Sequence, residues 1–298
     1  MGAANVIPGV SGGTIAFVTG IYDRLISSLK SIDVKALKLL KSFEIKALLD
    51  HIDAKFLVAL FVGAAVGIVS FGKVLKYLVE KDNHALEIYV WGFFFGLILA
   101  SVWLVGKTIK SWDIASILMF VIGVSVAVSL AFLGQSAENA NPLYLILCGV
   151  VAMSSMLLPG LSGSFVLILM GNYYLIMLDS VANKDIKILG LVGFGAVIGF
   201  VILSRVISFL LNKFENVTIS GLTGFILGSL VTIWPWKTVV REVLVAGEKT
   251  KEVIQGYENW TLPTFETNQD VLVILFMLLG FGLVFGVEWV GNKFKTID

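Results

Sequence analysis

The chain has 298 residues, 57% of them hydrophobic and only 14% charged, with a formal net charge of +1. Ordinary soluble domains carry about 25% charged residues, so this composition excludes a soluble globular protein. A near-neutral balance, with its basic residues in loops, gives no ground for a nucleic-acid partner, and one cysteine, Cys148, excludes an internal disulfide or a Cys-rich metal site.

The chain opens on the heptad "IPGVSGG", residues 7–13, and residues 158–164 repeat it as "LPGLSGS". The N-terminal run has no basic start and carries Pro8 and four glycines by residue 13, so it does not read as a cleavable signal. Residues 24–55 follow, with Arg24, Lys30, Lys35, Lys38, Lys41, Lys46 and Lys55 interleaved with apolar positions. They read as an amphipathic segment on the cytoplasmic membrane surface, serving as a topology signal or as an anionic-lipid contact. Long runs without any ionisable side chain come next: Phe56–Gly72, Ile88–Gly106, Ile114–Ala137, Pro142–Leu178, Ile188–Ser204, Val217–Trp236 and Val271–Val287. A bilayer core needs roughly 17–25 apolar residues per helix, and helices satisfy their own backbone there. Six crossings are expected, at 56–78, 87–106, 113–134, 187–211, 218–236 and 270–290.

The two halves repeat. "GAAVGIVSFGK" at 63–73 matches "GAVIGFVILSR" at 195–205, an offset of 132 that also pairs Gly92 with Gly224 and Gly96 with Gly228. Asp113, Gly123 and Gly134 match Asp270, Gly280 and Gly291 at an offset of 157, and the heptads match at 151. Residues 1–134 form repeat 1 and 142–298 repeat 2; the loop 237–269 is placed outside the cell. The uncharged run Pro142–Leu178 is too long for one crossing of about 30 Å. Pro159-Gly160 near its middle predicts a re-entrant hairpin. Repeat 1 has only seven residues before Pro8, so its first hairpin arm is expected to be truncated. The fold class is therefore an all-α membrane protein of two inverted repeats, each a re-entrant helical hairpin plus three transmembrane helices, with a cytoplasmic C-terminus. The glycine pairs 63/67, 92/96, 195/199 and 224/228 read as helix-packing faces.

Glycine-rich helix N-termini expose amide donors that suit an anion. Gly9, Ser11, Gly12, Gly13 and Thr14 in one copy, and Gly160, Ser162, Gly163 and Ser164 in the other, are the candidate phosphate ligands. Gly12 and Gly163 are expected where a side chain would intrude on the bound head group, or where φ is positive. Lys73 and Arg205 hold matching places in both repeats and either face the anion or snorkel to an interface. Glu288, late in the last helix, is a secondary candidate. With His51 and His84 in loops and no HExxH or GxSxG, an enzyme is not supported, and neither metal nor cofactor is called for.

"GAANVIPGVSGGTIAFVTGIYDRLI" (2–26) and "LLPGLSGSFVLILMGNYYLIM" (157–177) resemble the bacterial polyprenyl-phosphate translocase family, PopT type, across essentially the whole chain. Members usually have a longer N-terminal helix. The resemblance implies return of undecaprenyl phosphate from the outer to the inner leaflet of the plasma membrane for cell-wall synthesis. It adds Asp23 and Arg24, with Tyr22, and Asn172 and Tyr173 as hairpin-end positions; Asp23 stands where the family usually has Glu. Membrane lipids are further partners, and proton or sodium coupling stays open. A transporter of a small soluble anion and a structural membrane scaffold are the alternatives.

Overall fold

The computed structural model describes residues 1–2, 12–80, 86–246, 249–266 and 268–295; the side chains of 17–18, 71–73, 75–80, 178, 182, 242–255 and 287–295 lie outside that description. Four short helices come first: α1 (Gly12–Val18), α2 (Tyr22–Lys30), α3 (Val34–Lys41) and α4 (Ile45–His51). Long helices α5 (Ala54–Glu80), α6 (Glu87–Gly106) and α7 (Ile114–Ala131) complete the first half. The second half holds α8 (Pro142–Leu157), α9 (Gly163–Leu169), a π-helical turn (Tyr174–Asp179), α10 (Ile186–Lys213) and α11 (Glu215–Ile233). Strands β1 (Thr238–Ala246) and β2 (Lys249–Glu258) precede α12 (Asn268–Lys295). The chain is a mostly helical, multi-pass membrane protein. Among the described residues five helices, α6, α7, α10, α11 and the Asn268–Gly286 part of α12, are long and apolar enough to cross, or six if α5 is counted with α4, from which it is bent by 67°.

Helix starts follow local chemistry. Asp113 accepts the Ser116 amide at 2.8 Å, Asp185 accepts those of Lys187 and Ile188, and Asn141 accepts that of Leu143 ahead of Pro142. Each satisfies a donor that the first turn leaves free.

In α8 and α9 the chain doubles back. The Tyr144 hydroxyl, at the start of α8, donates to the carbonyl of Met170 just beyond α9 at 2.9 Å. Deeper in, a side chain on Gly163 would press on the Ala152 carbonyl and Met156 of α8, so the arms touch along their length. The closed end of the hairpin is the PGLSG segment.

Helices α6 and α11 form the centre: 56% and 67% of their apolar windows are buried, against 11–22% for α7, α10 and α12. Glycines set the contacts. A side chain at Gly96 would strike the Met277 carbonyl on α12, and one at Gly224 would strike that of Phe120 on α7. Met277 and Phe120 are 157 apart, whereas Gly96 and Gly224 are 128 apart. Gly280 seats on Phe93 and Leu97 as Gly123 seats on Gly221 and Phe225, again 128 apart. The first residues of α6 and α11, Glu87 and Glu215, keep the same spacing. By contact, then, α6 and α11 correspond one helical turn away from the register of 132 read off their glycines. The starts of α5 and α10, Ala54 and Ile186, do keep 132. Packing glycines also include Gly195 and Gly199 against α8, while Gly63 has nothing near it and is not a packing position.

One expectation is overturned. The protein is not all-α, because the loop 237–269 contains an antiparallel β1–β2 ladder with a bulge at Val240/Arg241. The run "TVVREVLV" is rich in β-branched residues, which favour a pleated, half-buried surface. Arg241 of β1 pairs with Glu87 at the start of α6, and the Trp91 indole donates to Glu87 at 3.1 Å. The Lys237 ammonium lies 3.8 Å from the Trp91 ring centre and 4.8 Å from that of Tyr257, and donates to the Trp234 carbonyl.

Burial pulls the Lys237 ammonium down from 10.5 to about 7, with Glu87 opposing the shift and Arg241 adding to it. Between those values the unfolded chain holds a proton that the folded chain lacks, so stability rises with pH across the window. Lys237→Met should flatten that rise. Detergent-solubilised protein unfolded at pH about 7 and about 9 checks this, and parallel profiles for wild type and variant would remove Lys237 as its source.

Candidate functional site

The described part of the first motif has the same local structure as the second. Both α1 and α9 are seven residues long, and their ends coincide at the offset of 151. Each is stopped by a glycine in the left-handed region, Gly20 at φ 70° and Gly171 at φ 74°. The Ile21 amide returns to the Ala16 carbonyl at 3.0 Å, and the Asn172 amide to that of Leu167 at 3.0 Å, the closure expected of a glycine C-cap.

The two motifs meet. The Gly160 amide donates to the Thr14 hydroxyl at 2.8 Å, a buried bond between residues 146 apart in sequence. Gly160 has φ 88°, and an added Cβ would lie 3.1 Å from the Ser229 hydroxyl and 3.3 Å from the Ile226 backbone of α11. Pro159 is fully buried beside it. The Tyr22 hydroxyl, also buried, donates to the Leu157 carbonyl at 3.0 Å, so α2 holds the last turn of α8 just ahead of the second motif. Tyr22 packs in a cluster with Ala16, Leu25, Leu57, Leu157, Ile207 and Leu222, which draws six helices to this point.

A small cleft, partly open to its surroundings, adjoins the second motif and is lined by Gly160, Leu161, Ser162 and Phe165 together with Ser229 and Thr232 of α11. The Ser162 and Ser164 hydroxyls are 2.8 Å apart. One of these two hydrogens is used within the pair and the other is free to donate. Ser229 and Thr232 spend theirs on the α11 carbonyls of Ile226 and Ser229. The cleft lining carries no charge.

Other expected positions fall differently. Gly12, Gly13 and Thr14 are buried, whereas Gly9 and Ser11, with Pro8, lie outside the described residues. Gly163 does lack room for a side chain, but the space belongs to α8 and not to a head group, and its φ is not positive. Arg205 is exposed on α10, has no hydrogen bond or ion pair among the described residues, and does not line the cleft. The side chains of Lys73 and Glu288 lie outside the description. Asp23 is exposed.

Arg24 grips Asp53 through two bonds of 2.7 and 3.1 Å and lies 4.5 Å from the Phe56 ring centre, so it braces α2 on the start of α5. This partner holds the Asp53 carboxyl below the usual carboxylate range. Asn172 is fully buried and reciprocates with Asn139, accepting its amide at 2.9 Å and donating to its carbonyl at 2.8 Å. Its polar atoms fasten the linker between the halves. Tyr173 packs half-buried on the cluster of Leu145, Cys148 and Leu167. His51 ends α4 and meets Asp33 at 3.2 Å. Among the described residues no group of three His, Cys, Asp or Glu is placed to hold a metal ion.

A family described as undecaprenyl phosphate translocase-like matches residues 1–251. The chain belongs to that family. Within reach of this undecaprenyl phosphate translocase-like chain are two named relatives. It is 37% identical over 297 residues to the polyprenyl-phosphate transporter of Vibrio cholerae serotype O1, covering 98% of this chain and 94% of the relative. It is 29% identical over 249 residues to the polyprenyl-phosphate transporter of Staphylococcus aureus, covering 79% and 83%. Both are named transporters and not enzymes. No solved structure matches.

The Thr14–Gly160 bond carries a stability prediction. Thr14→Val keeps the side-chain shape but leaves a buried amide without a partner, a loss of about 1–3 kcal/mol. Thr14→Ser keeps the acceptor and should remain near wild type. Denaturation of the purified variants measures the difference; a loss for Ser with Val near wild type would mean that the methyl packing matters and the hydrogen bond does not.

Proposed function

We propose that this protein carries a polyprenyl phosphate of the undecaprenyl phosphate class from the outer to the inner leaflet of the bacterial plasma membrane, returning it for cell-wall polymer synthesis. Family membership supports the substrate class. The observation that carries the mechanism is the Thr14–Gly160 hydrogen bond. It joins the first turn of α1, in one half, to the helix break at Pro159-Gly160 in the other, so the two motifs are held together.

The architecture we infer is a pair of inverted repeats, each with a re-entrant hairpin. The crossed pairing of elements supports this: α6 packs on α12 and α11 on α7, each helix taking a partner from the opposite half. So does the crossed pairing of charges. Glu87 opens α6 and takes Arg241, which follows α11; Glu215 opens α11 and takes Lys110, which follows α6, at 2.7 Å. The hairpin of α8 and α9, returning to the end where it began, then enters from the outside, and the C-terminus and residues 24–55 face the cytoplasm. Single labels at Leu40→Cys and Glu138→Cys should react from opposite sides of sealed vesicles; reaction from one side would end the inverted reading.

The phosphate has to cross about 30 Å of hydrocarbon, where an unpaired charge is prohibitive, while its apolar tail can stay in lipid. In the arrangement described, the Gly160 amide and the Thr14 hydroxyl satisfy each other. Separation of the halves would release that amide and hydroxyl, with the free Ser162/Ser164 hydrogen, as donors for a phosphate. The remaining ligands of the proposed site are Gly9, Ser11, Gly12, Gly13 and Gly163, with Lys73 and Arg205 supplying charge from α5 and α10. Asp23, Arg24, Asn172 and Tyr173 are secondary candidates whose described contacts lie away from the cleft, and Glu288 remains a secondary candidate.

The test is a leaflet-resolved transport assay in proteoliposomes, with a polyprenyl phosphate against the uncharged prenol. The phosphate should be moved and the prenol not. Ser162→Ala should weaken phosphate binding about tenfold to a hundredfold, as loss of one hydrogen bond to a charged group would. Arg205→Ala should abolish transport with folding intact. Normal transport by Arg205→Ala would assign that side chain to the membrane interface, and equal handling of phosphate and prenol would remove the anion site altogether.

A further inference from the structure

Between α2 and α5 lies a segment that neither the site nor the helix bundle uses. Its apolar residues are uncovered: Val34, Leu37 and Leu40 on α3, Phe43 at the corner, and Ile45 and Leu49 on α4 are 48–85% exposed, Phe43 most of all. Lysines 35, 38, 41 and 46 are exposed beside them. The two helices are held as one piece. Asp33 caps α3 through the Ala36 amide at 2.9 Å and also meets His51, the last residue of α4, at 3.2 Å. Arg24 and Asp53 pin the base of the unit where α5 begins. Helix α4 is bent by 67° from the start of α5. If α5 crosses a bilayer, α4 lies close to the membrane plane.

We propose that α3 and α4 form a paddle that docks on an anionic membrane surface, with the Val34, Leu37, Leu40, Phe43, Ile45 and Leu49 set in the acyl boundary and the four lysines on lipid phosphates. Three observations select lipid as the occupant. The exposed apolar and basic residues alternate along the same two turns, which suits an interface that is apolar below and anionic above. The unit is continuous with a membrane-spanning helix, so the bilayer is its nearest neighbour. Its axis runs across that helix and not along it. Lysines near an anionic surface each strengthen attachment about fivefold. This inference concerns a surface distinct from the proposed phosphate site and stands whether or not that site is correct.

The experiment places an environment-sensitive fluorophore on Phe43→Cys in a Cys148→Ala background of the full chain, reconstituted in nanodiscs. Anionic phosphatidylglycerol discs should give a blue-shifted emission, shielded from aqueous iodide and quenched by spin-labelled acyl chains. Discs of phosphatidylcholine alone should give weaker shielding. Lys35→Gln, Lys38→Gln, Lys41→Gln and Lys46→Gln combined should abolish the difference between the two lipids. Emission typical of water in both lipids overturns the proposal. So does shielding that is independent of lipid charge and of the lysines, and so does energy transfer between labelled copies, which would put a second copy on the face. Because the lipid comparison uses the single-site variant alone, it remains decisive even where the four-lysine variant fails to fold.

Discussion

A helix that stops inside an apolar layer leaves amides and carbonyls with no water to meet them, and each costs several kcal/mol if unpaired. The described surroundings of the second PGxSG segment answer that constraint. The Gly160 amide goes to Thr14 and the Leu157 carbonyl to Tyr22, while at the open end of the hairpin the Met170 carbonyl goes to Tyr144. Thr14 and Tyr22 belong to the other half, so the break at Pro159-Gly160 is satisfied only when both halves are assembled. The same groups that would make a phosphate site are therefore what couples one half to the other.

The bundle solves a second problem that follows from the first. Lipid tails are as apolar as leucine, so helices in a bilayer gain little by hiding apolar surface and associate by close packing. The outward faces of α5, α7, α10 and α12 accordingly keep exposed Val, Ile, Leu and Phe, while glycines carry the contacts between helices. Gly96, Gly123, Gly224 and Gly280 each bring a backbone carbonyl of the neighbour to the place where a Cβ would stand. These positions fix the depth at which α6 and α11 sit, and hence where Ser229 and Thr232 meet the second motif.

Much of this was legible in the sequence, because charge-free runs bounded by Asp, Asn and Pro report on helices through local chemistry alone. The identical α1 and α9 were legible for the same reason: Gly20 and Gly171 stop them at equal distances from their motifs. Contacts between distant residues were not. Nothing near Thr14 says that it accepts from Gly160, and nothing near Asn172 says that Asn139 will use both ends of its amide. Arg24 was a candidate through the family resemblance alone, yet Asp53, 29 residues on, claims it. The register of α6 against α11 slipped by a turn because glycines recur every four residues in both, and a four-residue slip of such a pattern still matches. The β-hairpin read as a plain loop because charged residues, among them Arg241, Glu242, Lys251 and Glu252, break up the apolar pattern of its strands.

The insertion of β1 and β2 makes the two ends of the bundle unequal, and the inequality bears on any rocking of the halves. At one end Lys110 and Glu215 pair with 70% and 52% of their side chains exposed. Such pairs contribute about 0–1 kcal/mol. At the other end Arg241 and Glu87 pair with 23% and 9% exposed, beneath the hairpin and next to the half-buried Lys237. Two halves built to one plan would open equally easily at either end. Here the end that carries the hairpin gives up a desolvated pair and the ring contacts of Lys237 when it opens, whereas the opposite end gives up a solvated one. The closed arrangement at the hairpin end is thus the one that the sequence insertion favours, and the symmetry of the helices is broken where the loops, and not the helices, differ.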